Sequence, residues 1–225
     1  MIKQLTMGAV LLAIVIPALA ANRTAQSGFY IAASGGSGQI YSPYSYMNNS
    51  TGSFDYGAFA WGASAGYQHA LNHNFSLGLE VGYNDDGQSK YNGSGGTNDA
   101  GSLQISSRNW NVLATANYYW PCGITAFVKA GPAYVMQNAN FEAPVTFPNT
   151  TISNDFNATT HRVRLLAEWG LGYQITQSLG VYGMGSYLFS EHGNNWKDVN
   201  NSGDINSVIF SALTWQLGVN YRFGS

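Results

Sequence analysis

Charge is what this chain most conspicuously lacks. Only 9 % of its 225 residues are Asp, Glu, Lys or Arg, against about 25 % in an ordinary soluble domain. A solvated surface of usual polarity cannot be built from so few. The formal net charge of -2 removes the electrostatic footprint of a nucleic-acid partner. Cysteine is nearly absent too: Cys122 stands alone, which rules out an intramolecular disulfide and a disulfide-stapled mini-domain. We read it as a free thiol in a short turn. Long apolar runs are missing as well. Beyond the N-terminal segment, no stretch approaches the ~20 apolar residues of a spanning helix.

What is present points elsewhere. Aromatics reach 14 %, with 15 Tyr, and there are 27 Gly. The first twenty residues read as a secretory signal: Lys3 supplies the positive region, Leu5 to Ile16 is apolar but for Thr6, and Ala18-Leu19-Ala20 is an A-x-A cleavage site. Residues 21–225 are then one exported domain. No Cys follows the cleavage site, so a lipid anchor is not expected there.

The segment Leu213 to Phe223 alternates without a break. Leu213, Trp215, Leu217, Val219, Tyr221 and Phe223 share one face; Thr214, Gln216, Gly218, Asn220 and Arg222 share the other. Strand side chains point to opposite faces in turn, so one face suits hydrocarbon and the other a polar interior. His161 to Ile175, Asn74 to Asp85 and Ile124 to Met136 repeat the pattern clearly. It is weaker at Phe29–Ser34, Phe59–Gln68 and Trp110–Tyr119. Leu179 to Ser190 is apolar on both phases, which leaves its lipid-facing side open. Eight strands result, an even number as bacterial outer-membrane barrels require.

Connections alternate in length. Leu71–Asn74, Pro121–Gly123 and Thr176–Ser178 are tight. Ser37–Tyr56, Asp86–Ser102, Gln137–Thr160 and Glu191–Ser207 are long and rich in Asn, Gly, Ser, Thr and Asp. Short periplasmic turns and long outer loops mark an up-and-down transmembrane barrel, with both termini in the periplasm. Unpaired backbone amides in hydrocarbon cost several kcal/mol each. The sheet must therefore close, with Leu213–Phe223 beside Gly28–Ser34. Aromatics then fall into two belts. Phe29, Tyr67, Phe75, Tyr118, Trp120, Tyr173, Tyr221 and Phe223 form the periplasmic belt. Phe59, Trp61, Tyr83, Trp110 and Tyr134 form the outer one.

These residues resemble a known group, the small eight-stranded outer-membrane barrels of Gram-negative bacteria. It includes the transmembrane domain of outer-membrane protein A, the X-type and W-type proteins and opacity-like surface antigens. The resemblance is carried by Gly28-Phe-Tyr-Ile-Ala-Ala33, Gly66-Tyr67-Gln68, Leu77-Gly-Leu-Glu-Val-Gly-Tyr83 and Phe127-Val-Lys-Ala-Gly131. Glu168-Trp-Gly-Leu-Gly-Tyr173 and Gly218-Val-Asn-Tyr-Arg-Phe223 complete it. It spans essentially the whole mature chain and implies an all-β transmembrane barrel in the cell outer membrane. It also implies lipid and lipopolysaccharide as surroundings and insertion by the barrel-assembly machinery. The family's terminal Phe is normally last, whereas Gly224 and Ser225 follow Phe223 here. With the chain ending after strand eight, no peptidoglycan-binding domain is expected.

Glu80, Lys129, Arg164, Glu168 and Arg222 sit on expected inward faces. They read as an ion-pair network filling the lumen, since side chains can fill an eight-stranded barrel. The sharper alternative is a gate whose pairs exchange partners to open a narrow, porin-like pore for small solutes, with a slight preference for anions. A third reading, uptake of apolar molecules as in W-type relatives, is disfavoured because only Leu113, Phe127 and Leu166 are apolar among the inward positions.

A minor alternative is a lipid A-modifying enzyme with catalytic groups at the outer rim, but catalysis is not expected. His161 and His192 lie near the outer rim, with Ser190, Glu191, Asp155 and Asp198 within loop reach. Nothing among them has the spacing of a nucleophile and its base. His69 and His73 lack a nearby carboxylate or Cys for a metal site, no Gly cluster joins a strand to a helix to cradle phosphate, and no cofactor is expected. The loops hold Tyr41, Tyr44, Tyr46, Phe54, Tyr56, Tyr91, Phe141, Phe147, Phe156 and Trp196 among Gly, Ser and Asn. That mixture is an adhesive vocabulary, and binding function commonly sits on loops held by a rigid scaffold. We therefore expect a surface antigen or adhesin for a host or matrix ligand.

Overall fold

A computed structural model describes residues 24–41, 58–92, 102–142, 145–147, 150–152, 156–190 and 209–223. The expected signal segment 1–20 lies outside them. Ten strands follow one another: β1 (Gly28–Tyr41), β2 (Ala58–Ala70), β3 (Phe75–Asn92), β4 (Ser102–Tyr119), β5 (Ile124–Glu142), β6 (Val145–Phe147), β7 (Thr150–Ile152), β8 (Phe156–Gln174), β9 (Leu179–Leu188) and β10 (Ser211–Arg222). Eight close into an antiparallel barrel in the order β1-β10-β9-β8-β5-β4-β3-β2, while β6 and β7 pair as a small hairpin of their own. That hairpin was not anticipated from the sequence.

The seam is the expected one. β10 runs against β1 from Tyr30↔Arg222 to Tyr41↔Ser211, which leaves no open edge between the first and last strands. The barrel is inside-out compared with a soluble one. Leu217 is 76 % exposed and Phe59 70 %, whereas inward Leu113 and Leu166 are fully buried. The doubtful phase of β9 is resolved by its neighbours. Gly180, Met184, Ser186 and Leu188 turn inward; Leu179, Val181 and Phe189 turn outward.

The strands outrun the sequence expectation at the loop end. β1 continues to Tyr41, β3 to Asn92 and β5 to Glu142, while β4 begins at Ser102 and β8 at Phe156. These reaches correct the expected loops Ser37–Tyr56, Asp86–Ser102 and Gln137–Thr160. On β3 the reason is a bulge. Asp85 pairs with Arg108 and Gly87 with Ser107, so Asp86 has no opposite number. Gly87 adopts a φ of 82°, a region that favours a residue without Cβ, and Asp85 Oδ1 accepts its amide at 3.0 Å. One extra residue reverses the parity of the strand. The alternation therefore breaks at Asp86 although the strand does not.

Candidate functional site

The middle of the lumen is built from three strands. Glu80 on β3, Lys129 on β5 and Glu168 on β8 each occupy an inward position, and Lys129 and Glu168 are register partners. The Lys129 ammonium lies 2.7 Å from Glu80 Oε1 and 3.1 Å from Glu168 Oε2, with side-chain exposures of 12 % for the lysine and 3 % for each carboxylate. Tyr30 Oη donates to Glu80 Oε2 at 2.6 Å, and Asn84 Nδ2 donates to Glu168 Oε1 at 3.3 Å. Lys129 also lies 5.4 Å from the centre of the Phe127 ring. One cation thus holds two carboxylates, each carrying a further donor. Buried charges persist only with such partners.

The other two charges of the expected network stand apart from this cluster. Arg222 lies at the turn end, where its Nη2 donates to Gln68 Oε1 at 2.7 Å and to Tyr119 Oη at 2.8 Å. Tyr119 Oη donates in turn to Gln68 Oε1 at 2.8 Å. Arg164 is half-buried on β8, cross-strand from Ala133 and beyond the end of β9. The interior therefore divides into separate stations.

At the loop end the lumen is capped. The Gln137 side chain reads the backbone of Phe210 as a neighbouring strand would: Nε2 donates to its carbonyl and Oε1 accepts its amide, both at 2.8 Å. This draws Ile209 and Phe210 inward, where they are buried with Ile40, Ile105, Val135 and Leu188. Beneath them Asp86, the bulge residue, accepts from Ser107 Oγ at 2.9 Å and Asn109 Nδ2 at 3.3 Å. The expectation that only Leu113, Phe127 and Leu166 are apolar inside is corrected here. Ile40 and Ile105 lie on extended strand segments, Val135 and Leu188 on β5 and β9, and Ile209 and Phe210 just ahead of β10, and they gather at the loop end. Two small spaces lie in the interior among the described residues. A cavity of about 40 Å³ lies between the ion cluster and the turn end. Another of about 10 Å³ lies beside the cluster, the room of one water.

The aromatic residues of both expected belts point outward. At the turn end Phe29 meets Tyr67 at 4.9 Å, Tyr118 meets Trp120 at 4.8 Å, and Tyr221 meets Phe223 at 5.0 Å, centre to centre; Phe75 and Tyr173 are half-buried nearby on their strands. Toward the loop end, Trp61, Tyr83 and Trp110 form a continuous chain at 5.4 and 4.9 Å. Phe59 and Tyr134 are exposed in the same outward set. Two bulky rings also cross the middle of the wall: Trp169 and Trp215 meet at 6.1 Å over β9.

Of the rim residues, His161 is exposed and stacks on Tyr134, and Ser190 follows β9 half-buried. Asp155, Glu191, His192 and Asp198 lie outside the described residues, as do Tyr44, Tyr46, Phe54, Tyr56 and Trp196. Cys122 is exposed in the turn between β4 and β5. Among the described residues no group of three His, Cys, Asp or Glu is placed to hold a metal. Sequence reasoning missed Asp86, Gln137 and the inward turn of Ile209 and Phe210. A signal for Asp86 existed in the Asp85-Asp86-Gly87 triplet, a bulge-prone run within an otherwise alternating strand.

A family model described as the OmpA-like transmembrane domain matches residues 24–225. No curated protein sequence matches the chain. Several solved structures share its outline at low identity. The attachment invasion locus protein Ail of Yersinia pestis, in complex with the heparin analogue sucrose octasulfate, is 11 % identical, with a TM-score of 0.46 over 88 % of this chain and 100 % of Ail. Neisserial surface protein A is 14 % identical, with a TM-score of 0.45 over 88 % and 98 % of the two chains. OprG of Pseudomonas aeruginosa is 11 % identical, with a TM-score of 0.47 over 91 % and 100 %.

Proposed function

The chain belongs to the family of OmpA-like transmembrane domains, and from that premise we propose that this outer-membrane β-barrel is a closed scaffold whose work is done at its loop face, as a surface antigen or adhesin. In this reading the signal is removed after Ala20, both termini lie in the periplasm and the long connections face outward. The observation that carries it is the capped lumen. Ile209 and Phe210 are held in the mouth by Gln137, above an ion cluster with room for about one water. A barrel so filled has little to offer a solute in transit.

The shape of the wall supports display. β3, β4, β5 and β8 stay paired about eight residues beyond Tyr83, Trp110 and Tyr134, or ~26 Å of strand, whereas β2 begins one residue beyond Phe59. A four-stranded sheet thus stands clear of the outer aromatic row and carries the β6–β7 hairpin. Replacing residues 143–155 by a short Gly-Ser turn should abolish binding of expressing cells to host-cell or matrix ligands. Unchanged binding would count against the reading.

A second reading is favoured by one observation. Lys129 bridges two carboxylates rather than one, and such a cation can release one partner while keeping the other. That is the chemistry of a narrow gate. Planar-bilayer recording tests it: silence in both wild type and Glu80→Ala would remove it. We assign no catalytic role, and a lipid A mass profile altered by the protein would overturn that assignment.

A further inference from the structure

The geometry points to a lipid-phosphate site on the outward wall of β3, β4, β5 and β8. There a phosphorylated glycolipid of the outer leaflet seats an acyl chain in a groove beside Pro132 and its phosphate on Arg108 and His161.

The groove begins with the backbone. Proline has no N–H to give to a ladder. The β4–β5 pairing runs down to Asn111↔Ala133 and resumes at Ala114↔Ala130, so the interruption sits opposite Gly131 and Pro132. A Cβ at Gly131 would collide with the Val112 carbonyl, which has moved into the space a side chain would take. The wall is hollowed on its outer side, where a groove of about 460 Å³ is lined by Val81, Trp110, Val112, Pro132, Tyr134 and Val163. That volume falls within the roughly 300–1,000 Å³ of small-molecule pockets, and its lining suits hydrocarbon.

The headgroup position follows from register. The next outward residues toward the loop end are Arg108 on β4, Met136 on β5 and His161 on β8, which are cross-strand partners in that order. Arg108 and His161 are exposed. The His161 ring lies nearly parallel to that of Tyr134, 18° apart with centres at 6.1 Å, which fixes the imidazole at the lip of the groove. A guanidinium matches phosphate through two parallel N–H groups, and an imidazole supplies an N–H donor in either charge state. The acidic neighbour is Asp85, cross-strand from Arg108, whose Oδ1 is engaged by the Gly87 amide at 3.0 Å.

Charge distribution selects this wall over the others. Among the described residues the exposed Lys and Arg are Lys90, Arg108 and Arg162; Lys90 on β3 and Arg108 on β4 take outward positions, whereas Arg162 on β8 is cross-strand from buried Val135 and has inward parity. β1, β2, β9 and β10 present none. Lys90 sits two outward positions beyond Arg108 in the shared register, opposite Gln104, within reach of a second phosphate on the same headgroup. An apolar groove below a one-sided cationic row fits a diphosphorylated glycolipid better than a neutral or singly charged lipid.

The inference rests on the loop end facing outward, which biotinylation of a cysteine introduced at Lys90 in whole cells reports separately. The binding test is native mass spectrometry of the full chain refolded in detergent. It is titrated with diphosphoryl lipid A, with phosphatase-treated lipid A and with phosphatidylglycerol. Wild type should retain one diphosphoryl lipid A, with at least tenfold weaker retention of the other two lipids. Arg108→Gln with His161→Ala should weaken lipid A retention at least tenfold, as should Val163→Trp, which fills the groove and leaves both headgroup residues intact. Each variant is first shown to be folded by its heat-modifiable gel shift. Retention unchanged in the variants, equal retention of phosphatidylglycerol, or no retained lipid overturns the site.

Discussion

Replacing Lys129 by Met should destabilise the barrel more than any other single change within the ion cluster. The substitution keeps volume and removes the cation that sits 2.7 Å from Glu80 and 3.1 Å from Glu168. Two carboxylates, each 3 % exposed, would then face one another with room for about one water beside them. Breaking a buried ion pair costs about 3–5 kcal/mol, because the partner charge is left uncompensated. The upper half of that range is expected here, since two partners are stranded rather than one. Glu80→Gln is the milder comparison. It takes the cluster's formal charge from -1 to zero, keeps an acceptor for Tyr30 Oη and leaves Lys129 on Glu168, so the cost should be about 1–2 kcal/mol. The triple variant Glu80→Gln, Lys129→Met, Glu168→Gln removes every charge and should recover most of the Lys129→Met loss. Urea unfolding of protein refolded into lipid vesicles, followed by Trp fluorescence, gives the free energies by linear extrapolation. A Lys129→Met cost below about 1 kcal/mol, or a triple variant no better than the single, would refute the account of the cluster as a mutually dependent unit.

Three further outcomes are expected. Gln137→Ala should free Ile209 and Phe210 from the mouth at a cost of about 1–3 kcal/mol for the buried groups left unsatisfied, and chymotrypsin should then cut folded protein at Phe210, where wild type resists. Arg222→Ala strips one cation from both Gln68 and Tyr119 and should cost about 1.5–3 kcal/mol in the same urea assay, with lumen conductance unchanged because the cluster around Lys129 is untouched. Gly131→Val should fail to refold in vesicles, as judged by loss of the heat-modifiable band, because its Cβ has no space against the Val112 carbonyl; efficient refolding would show that the wall there can yield.

The barrel was legible from residues because its signal is binary. Wherever one face met lipid and the other a filled lumen, apolar and polar residues alternated, and strands such as Leu213 to Phe223 could be phased directly. Where both faces carry Gly and apolar residues, as in Leu179 to Leu188, the pattern is silent. There the phase is set by neighbours, with Met184 beside Gly170 and Gln216 on the inside. The ion cluster was legible in part. That Glu80, Lys129 and Glu168 face inward follows from parity. That they meet while Arg222 and Arg164 stand elsewhere depends on how the barrel closes, with β4 interposed between β3 and β5. The mouth was not legible. Gln137 lies in what reads as a polar loop, and its partner is a backbone far along the chain, so no local pattern announces the contact.

The single extra residue at Asp86 has a practical corollary for labelling β3. Up to Asp85 the odd-numbered side chains face out; past the bulge, Gln88 and Lys90 do, and Ser89 turns inward, where its hydroxyl accepts the Ile40 amide at 3.1 Å. Two probes placed on consecutive residues, 89 and 90, would therefore report from opposite sides of one wall. The first would sense whether the mouth is shut, and the second what has arrived at the outer wall.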